Sequence, residues 1–517
     1  MATDIRALAR GILCVGFPGT RVGELPLDEL RELGPGGVIL FARNVGAADD
    51  LRASIAALRT CGEIAPLVAI DQEGGRVARI TDPALVAQLP SAMALAAGGD
   101  AADCERAGTL LGRDLARLGV SVDFAPCADL ALDADNTVIG TRSFGDVPDA
   151  VAARCAAFAR GLEIGGVAAA IKHFPGHGAT AIDSHLALPR VSVDAATLRT
   201  RDLVPFANAI AGGAASIVMT AHIVLEALDP VAPATLSAPV LTGLLRGELG
   251  FEGVIATDCL EMDAIAATIG TSAGAVGALA AGADLLLMSH RLDRARAAAD
   301  AIVAAIESGA VPLARLQSAA ARVQRLRERY VTLRPFAGEL DAGMALEAAR
   351  RAVTLVRGDV RLRPAKPVSV ISFEGAIVDG AAGARTATLS LSAALRARRW
   401  KSEVMRVALE PDPADVDVLL THLPALGDRN FVLVIRHAHL HAAQRAAVRR
   451  IVERVPDAIV ISAREPYDAA LFSNARNVAC TYGDDELALE ACADVLSARV
   501  PAAGSLPVRI DRNVTVR

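Results

Sequence analysis

Eight short apolar segments alternate with longer helical segments through the N-terminal part of this chain. The Ala-, Arg- and Glu-rich stretches between them have the apolar spacing of helices, which indicates parallel βα units. Eight such units predict an (α/β)8 barrel of the TIM type, with a doubly wound open sheet as the alternative, because strand number alone does not prove closure. The apolar segments are Ile12–Phe17, Gly37–Phe41, Pro66–Ile70, Ser121–Ala125, Val167–Ile171, Ser216–Met219, Gly253–Ala256 and Asp284–Met288.

A second alternating series follows and predicts a smaller three-layer α/β sandwich domain. A charged helix and a stretch containing Pro335, Gly338 and Gly343 separate the two series. We therefore expect the barrel to span residues 1–335, a linker residues 336–365 and the C-terminal α/β sandwich domain residues 366–517. The strands expected in this domain are Val368–Phe373, Glu403–Leu409, Val416–His422, Phe431–Arg436, Ala458–Ser462 and Asn477–Tyr482.

Composition narrows the class of partner and the compartment. The chain has 517 residues, with 53 Lys and Arg against 59 Asp and Glu, so its formal charge is −6. This balance argues against general nucleic-acid binding, which needs a basic face. No apolar run reaches the roughly 18 residues of a membrane span, and the N-terminal segment is typical of a first strand rather than a signal peptide. The eight cysteines show no CxxC spacing, so we expect reduced, mostly buried thiols in a cytoplasmic protein.

Polar side chains follow five of the predicted barrel strands. In a parallel barrel the carboxyl ends of all strands open on one face, where the loops build the functional site. We therefore predict that these side chains converge on one pocket, although a single polar residue at a strand end often caps a helix or meets solvent. The residues are Asp71, Lys172 with His173, His222, Asp258, and Ser289 with His290.

Two segments contain candidate proton-transfer or nucleophilic groups. Asp183 and His185 lie two residues apart in the loop after the fifth strand. A carboxylate beside an imidazole stabilises its protonated form, as a proton donor near neutral pH requires; a solvated turn is the alternative. Asp258 lies between an apolar strand and a helix, so it either points into the pocket or caps the helix. Glu261 is expected to close a capping box at the start of that helix.

The second domain contains His437, His439 and His441 after a predicted strand. Alternation would place the three imidazoles on one face of the strand, as a metal site would require. Because no acidic or Cys partner lies nearby in the sequence, we favour an ordinary cluster at a strand end.

Five motifs together resemble glycoside hydrolase family 3. They are DQEGGRVAR (71–79), GTRSFG (140–145), KHFPGHG with its following DSH (172–185), VMTAH (218–222) and VIATDCLEM (254–262). The KHFPGHG…DSH loop resembles that of the β-N-acetylglucosaminidase branch of the family. Three positions, Thr141, Ala179 and Cys259, depart from the family pattern, which often has Asp there; none is a proposed catalytic group.

The resemblance implies a retaining mechanism. Asp258 matches the family's nucleophile, and His185 matches its acid/base residue, with Asp183 as the dyad partner. No metal or organic cofactor is implied, and the loop from Gly176 to Leu188 is expected to close over bound sugar. The residues that match sugar-binding positions are Asp71, Arg79, Arg142, Lys172 and His173.

The predicted function is that of an exo-acting β-N-acetylglucosaminidase. It would release terminal N-acetylglucosamine from small β-linked glycans, such as muropeptide fragments in cell-wall recycling, with no nucleic-acid partner and no membrane span. A phosphorylase or transglycosylase on the same fold is one alternative, and a non-catalytic sugar-binding barrel is another. The oligomeric state is left open.

Overall fold

The N-terminal part of the chain forms an eight-stranded parallel sheet that curves into a nearly closed barrel. The computed structural model describes residues 4–180, 188–332, 334–338, 341, 343–375 and 390–510. The strands of this part are β1 (Leu13–Val15), β2 (Gly37–Leu40), β3 (Leu67–Ile70), β4 (Gln72–Gly74), β5 (Val77–Ala78), β6 (Val122–Asp123), β7 (Ala168–Phe174), β8 (Arg190–Val191), β9 (Ile217–Thr220), β10 (Val224–Leu225), β11 (Val254–Ala256) and β12 (Leu286–Met288).

The strand order confirms the predicted (α/β)8 barrel. The order in the sheet is β11, β9, β7, β6, β3, β2, β1 and β12, all parallel. A parallel bridge between Ala256 and Leu285 joins the two end strands, so the open-sheet alternative is wrong. Each barrel strand falls within one of the eight predicted apolar segments or overlaps it, because a strand covered on both faces is mostly apolar.

Helices surround the barrel. They are α1 (Ile5–Gly11), α2 (Leu27–Leu33), α3 (Ala48–Leu58), α4 (Ala92–Gly98), α5 (Ala101–Leu118), α6 (Pro148–Gly165), α7 (Ala195–Thr197), α8 (Val204–Ala211), α9 (Asp263–Ala266), α10 (Thr271–Ala281), α11 (Leu292–Glu307) and α12 (Leu313–Val331). Local sequence sets their ends: Asp100 accepts a hydrogen bond from the N–H of Asp103 at the start of α5, and Gly119 ends it in the left-handed conformation. Among the described helices, none is long and apolar enough to cross a membrane.

The second domain is a six-stranded sheet with helices on both faces. Its strands are β13 (Thr354–Arg357), β14 (Val368–Glu374), β15 (Ser402–Ala408), β16 (Asn430–Ile435), β17 (Ile459–Ser462) and β18 (Asn477–Cys480), in the order β13, β18, β17, β16, β14, β15. Its helices are α13 (Met344–Ala352), α14 (Leu391–Ala397), α15 (Pro413–His422), α16 (Ala442–Arg454) and α17 (Glu486–Leu496). The predicted α/β sandwich is confirmed. The edge strand β13, antiparallel to β18, lies inside the range that was predicted to be a linker.

One predicted strand is wrong. Val416–His422 belongs to α15, which begins at Pro413 with Asp412 as its N-cap, accepting a hydrogen bond from the N–H of Ala414. The apolar run resembles a strand because it is short. Its burial follows the helix period instead, with Val416 buried and Val418 58% exposed.

The two domains share a buried interface. Ser91 Oγ donates to the carbonyl of Tyr482 at 2.7 Å, and Tyr467 Oη donates to the carbonyl of Ala131 at 3.3 Å. Met93 and Ala134 of the barrel pack into the apolar core of the second domain. The barrel loop between β6 and α6 and the segment around α4 are therefore held partly by the second domain.

The histidine cluster of the second domain has acidic partners, contrary to the sequence reasoning. His437 pairs with Glu465 at 2.6 Å, His439 with Asp468 at 2.7 Å and His441 with Glu410 at 2.7 Å. Each carboxylate comes from a segment distant in sequence, so only the fold reveals the pairing. His439 Nε2 also lies 2.9 Å from the Ala134 carbonyl, so the cluster helps to hold the interface.

The cysteines agree with the prediction of buried thiols. All eight lie in the described part of the chain, and all are buried free thiols.

Candidate active site

A cavity of about 480 Å³ opens at the carboxyl ends of the barrel strands. Ser289 and His290 line it. His222 is fully buried and does not line it; its Nε2 lies 2.9 Å from the Cys259 carbonyl and its Nδ1 2.8 Å from Thr235 Oγ1. Polar residues from four of the five predicted strand ends thus meet at one cavity, and His222 is the exception. Six of the predicted site residues line it, namely Asp71, Arg79, Arg142, Lys172, His173 and Asp258.

Five charged side chains form a continuous group on one wall, and we call Asp71, Glu73, Arg79, Arg142 and Lys172 the charge network. Lys172 Nζ lies 2.7 Å from Asp71 Oδ1 and 2.7 Å from Glu73 Oε1. Arg142 donates to Glu73 from Nε to Oε2 at 2.9 Å and from Nη2 to Oε1 at 2.8 Å. Arg79 Nη2 lies 3.4 Å from Asp71 Oδ2. Three cations therefore compensate two carboxylates.

Asp71, Glu73 and Lys172 of the charge network are ionised at neutral pH. Burial alone would raise the pKa of Asp71, but the charges of Lys172 and Arg79 hold that pKa below its ordinary value. Burial is likewise outweighed at Glu73, where Arg142 and Lys172 hold the pKa well below its usual range. Burial would lower the pKa of Lys172, yet the two carboxylates raise it. Charged groups of this kind form strong hydrogen bonds to the hydroxyl groups of a sugar.

Asp129, which sequence reasoning missed, holds two histidines of the cavity. Its Oδ2 accepts hydrogen bonds from His173 Nδ1 at 2.7 Å and from the His173 backbone N–H at 3.1 Å. Its Oδ1 accepts from the backbone N–H of His177 at 2.6 Å. The carboxylate makes Nδ1 of His173 the donor, while Nε2 faces Arg142 Nη2 at 3.4 Å. Burial lowers the pKa of His177 to about 4 against the opposing charge of Asp129, so this ring is neutral.

Signals for the missed residues are present in the sequence. Glu73 and His177 lie inside two of the motifs that carry the family resemblance. Asp129 lies six residues beyond the end of β6, in a loop on the same face of the barrel, so the signal for it is weaker.

Asp258 lies two residues beyond β11, at the cavity. Its Oδ1 accepts a hydrogen bond from the backbone N–H of Cys259 at 2.7 Å. Helix α9 begins only at Asp263, so the alternative that Asp258 caps the helix is wrong. The capping box expected at Glu261 is wrong for the same reason. Glu261 Oε2 accepts instead from the backbone N–H of His290 at 2.6 Å.

Asp183 and His185, the predicted acid/base dyad, lie within residues 181–187, outside the described residues. The same holds for most of the loop predicted to close over sugar. Before this segment, Thr180 Oγ1 lies 2.9 Å from His177 Nδ1. The catalytic and binding roles assigned from the sequence, including those of the six residues at the cavity, stay predictions.

Two groups in the described part of the chain combine a thiol, a carboxylate and an imidazole. Cys127, Asp129 and His173 form the first, in which Asp129 already accepts four hydrogen bonds from the protein, one of them from Cys127 Sγ. The carboxylate oxygens of this group are thus already used to hold the site together. Cys259, Glu261 and His290 form the second group, at the cavity.

The second domain supports the segment that carries Arg142. Glu465 is 1% exposed and approaches Gly140 so closely that a Cβ on this glycine would lie 2.2 Å from Glu465 Oε1. Arg76 donates to the carbonyl of Val138 at 2.9 Å, and its charge helps to hold the pKa of Glu465 low against burial, after the larger contribution of His437. The turn that positions Arg142 is therefore packed against a buried carboxylate of the other domain.

Comparison with known proteins agrees with this architecture. Residues 23–326 match the family model described as the glycosyl hydrolase family 3 N terminal domain. A beta-hexosaminidase from Alkalilimnicola ehrlichii is 38% identical over 284 residues, which are 54% of this chain and 81% of that protein. A beta-hexosaminidase from Pseudomonas aeruginosa is 38% identical over 313 residues, 60% of this chain and 90% of that protein. A solved structure of a glycoside hydrolase family 3 beta-N-acetylglucosaminidase from Paenibacillus sp. str. FPU-7 has a TM-score of 0.91 at 33% identity and covers 100% of both chains.

An (α/β)8 barrel with a charged cavity at its strand ends, together with these relatives, defines a glycoside hydrolase. The family model covers more than half of the chain, and the chain belongs to glycosyl hydrolase family 3. The two curated relatives match little more than half of the chain, whereas the Paenibacillus structure matches both domains.

Proposed function

We propose that the protein is an exo-acting β-N-acetylglucosaminidase that releases terminal N-acetylglucosamine from small β-linked glycans. The observation that carries the proposal is that Asp258 and the charge network line the same cavity. The names of the relatives support the identity of the sugar. Muropeptide fragments are the proposed natural substrate and the cytoplasm the proposed location, with which eight buried free thiols are consistent.

Asp258 is the proposed nucleophile. Its carboxylate attacks the anomeric carbon and forms a glycosyl ester while the bond to the leaving oxygen breaks; water then hydrolyses the ester with overall retention. His185 gives its proton to the leaving oxygen in the first step and takes a proton from water in the second. Asp183 stabilises the imidazolium that exists between these transfers.

The charge network is the proposed binding surface for sugar hydroxyls. A sugar is uncharged, so its orientation depends on many hydrogen bonds, and charged partners make the stronger ones. The side chain of Asp71 is 15% exposed, so its carboxylate can accept from a hydroxyl while Lys172 and Arg79 keep it ionised. Because these side chains are held by one another, little reorganisation is needed when the sugar binds.

A fluorinated N-acetylglucosaminyl fluoride tests the proposal. The fluorine on the sugar ring slows both formation and hydrolysis of the glycosyl ester. Fluoride is a good leaving group at the anomeric carbon, so the ester forms faster than it is hydrolysed and accumulates. We expect a stoichiometric adduct on the peptide that contains Asp258, detected by mass spectrometry after proteolysis. An adduct on another carboxylate would contradict the assigned nucleophile. Turnover in phosphate buffer completes the test: free N-acetylglucosamine supports hydrolysis, and glycosyl phosphate would favour the phosphorylase alternative.

Replacing His185 by Ala is expected to separate substrates by their leaving group. A sugar leaving group needs protonation, so kcat/KM on N,N′-diacetylchitobiose should fall by about 10²- to 10⁴-fold. A nitrophenolate leaves without a proton, so the 4-nitrophenyl glycoside should lose much less. His422→Ala, at an exposed helix end of the second domain, is the control. Equal losses on both substrates would contradict the role as acid.

Replacing Gly140 by Ala is expected to impair the site through the second domain. The new methyl group would displace Glu465 and move the turn that carries Arg142, so we expect kcat/KM to fall by about tenfold or more. Gly34→Ala is the matched control, because Gly34 also has a positive φ of 58° but no atom within 4 Å of an added Cβ. The control reports the backbone cost alone. Equal kinetic effects of the two substitutions would show that the contact with Glu465 does not support the site.

A further inference from the structure

Cys259, Glu261 and His290 bring a thiol, a carboxylate and an imidazole together at the active-site cavity. One ligand atom of each, Sγ, a carboxylate oxygen and a ring nitrogen, lies within 4.8 Å of the other two. These are the donor types that bind Zn²⁺ in proteins, and ligand atoms of a tetrahedral zinc site lie about 3.5 Å apart. If the distances between the three ligand atoms shortened by about 1 Å, all three could therefore enter the first coordination sphere of such an ion.

Glu261 provides an independent indication of a ligand. Its side chain is only 3% exposed, yet among the described residues its Oε1 accepts no hydrogen bond. The cation paired with this oxygen is Arg294, with Nη1 3.7 Å away. A buried carboxylate oxygen without a hydrogen bond is costly, and coordination to a metal ion would satisfy it.

Two of the three ligands are already fixed, and the third is able to adjust. The backbone of Cys259 is held on both sides, by Asp258 Oδ1 at its N–H and by His222 at its carbonyl. Glu261 Oε2 is held by the backbone N–H of His290. The imidazole of His290 is 58% exposed, with Nδ1 3.5 Å from Glu261 Oε2, so a small rotation of this ring completes the group.

We propose that Cys259, Glu261 and His290 bind Zn²⁺ or a similar thiophilic divalent cation, and that the bound ion inhibits the enzyme. Binding releases the thiol proton of Cys259 and any proton on the ligating ring nitrogen of His290, because the thiolate and the neutral imidazole are the ligand forms. Three protein ligands leave a coordination position open, and the cavity that they line also contains Asp258. A dication there competes with substrate for the cavity. Its positive charge also attracts the negative charge of the Asp258 carboxylate and so makes this group a weaker nucleophile. The inhibition rests on the proposed function, whereas the metal site does not.

Two guanidinium groups near the proposed site limit its affinity for a divalent cation. Arg294 lies 3.7 Å from Glu261, and Arg43 interacts electrostatically with Cys259 and Glu261. Both oppose a nearby dication, so we expect weaker binding than in structural zinc sites, in which the metal supports folding. Reversible inhibition, rather than a tightly held structural ion, is the expected behaviour.

Co²⁺ added to the reduced, chelator-treated full-length protein tests the site without any activity measurement. We expect a thiolate-to-cobalt charge-transfer band in the near ultraviolet that is absent in Cys259→Ser and weakened in His290→Ala. Cys127→Ser is the matched control, because Cys127 belongs to the other thiol–carboxylate–imidazole group, and it should keep the band. A band that persists in Cys259→Ser, or its loss in Cys127→Ser alone, would overturn the assignment, as would the absence of a band in the wild type.

A second experiment measures inhibition by Zn²⁺ and tests whether the bound ion inhibits the enzyme. Each protein is compared with its own metal-free rate, and circular dichroism checks that each variant is folded. We expect Cys259→Ser and His290→Ala to need at least about tenfold more Zn²⁺ for half-inhibition, and a chelator to restore wild-type activity. Equal sensitivity of all proteins would overturn the inhibitory role. A cobalt band in a protein that hydrolyses no N-acetylglucosaminide would support the metal site and contradict only the proposed function.

Discussion

Replacing Asp258 by Ala is expected to lower kcat on 4-nitrophenyl N-acetyl-β-glucosaminide by at least about 10³-fold. Without the carboxylate no glycosyl ester forms, and neither the charge network nor the dyad provides a nucleophile at the anomeric carbon. The rate should be measured together with circular dichroism, since the side chain lies at the cavity wall and its removal leaves the barrel core intact. Asp293→Asn, an exposed carboxylate at the start of α11, should keep the wild-type rate.

Azide distinguishes a missing nucleophile from a disturbed site. In Asp258→Ala the space vacated by the carboxylate is open to a small anion, which can attack the anomeric carbon from the same side. We expect azide to restore turnover in this variant and to yield the α-glycosyl azide, while the wild type produces none. If the variant retains full activity without azide, the nucleophile lies elsewhere.

Replacing Lys172 by Met is expected to destabilise the protein by about 3–5 kcal/mol. The side chain is 2% exposed and its Nζ contacts two buried carboxylates at 2.7 Å each, so its removal leaves Asp71 and Glu73 only partly compensated. Urea unfolding followed by circular dichroism measures the change. Lys366→Met is the matched control, because Lys366 pairs with Asp428 on the surface of the second domain, where we expect about 0–1 kcal/mol.

The loss of stability caused by Lys172→Met should depend on pH. The pKa of Glu73 is lowered in the folded protein, so its pairing stabilises the fold above the unfolded value of 4.5 and is lost as pH falls toward the folded pKa. We therefore expect the full difference between wild type and variant at pH 7 and a narrowing difference below about pH 4.5. A difference that is constant down to pH 3 would show that lost packing, rather than charge, causes the destabilisation.

The barrel was predictable because its signals are local. A strand buried on both faces is a short continuous apolar run, and the helices between the runs repeat every three to four residues. Where the local signal was ambiguous the prediction was wrong: the run at Val416–His422 is a helix, since Pro413 and Asp412 start it and Val418 faces solvent. The antiparallel strand β13 was missed because it is short and only partly buried.

The position of the site was also predictable in part. The strand-end rule brought Asp71, Lys172 and Asp258 to one face, because parallel strands have a common direction. It did not reveal Asp129 or Glu73, whose functions as partners arise from contacts between segments that are distant in sequence. The same holds for the acidic partners of the histidine cluster.

The sequence by itself determined the order of strands and helices in the barrel, the side of the barrel on which polar residues gather, and the family to which the chain belongs. Only the tertiary structure decided which charges meet. Lys172 and Asp71 are 101 residues apart in the chain, and Arg142 and Glu73 are 69 apart. Periodicity is a property of neighbouring residues, whereas such pairing depends on barrel closure and on the second domain that packs behind Gly140.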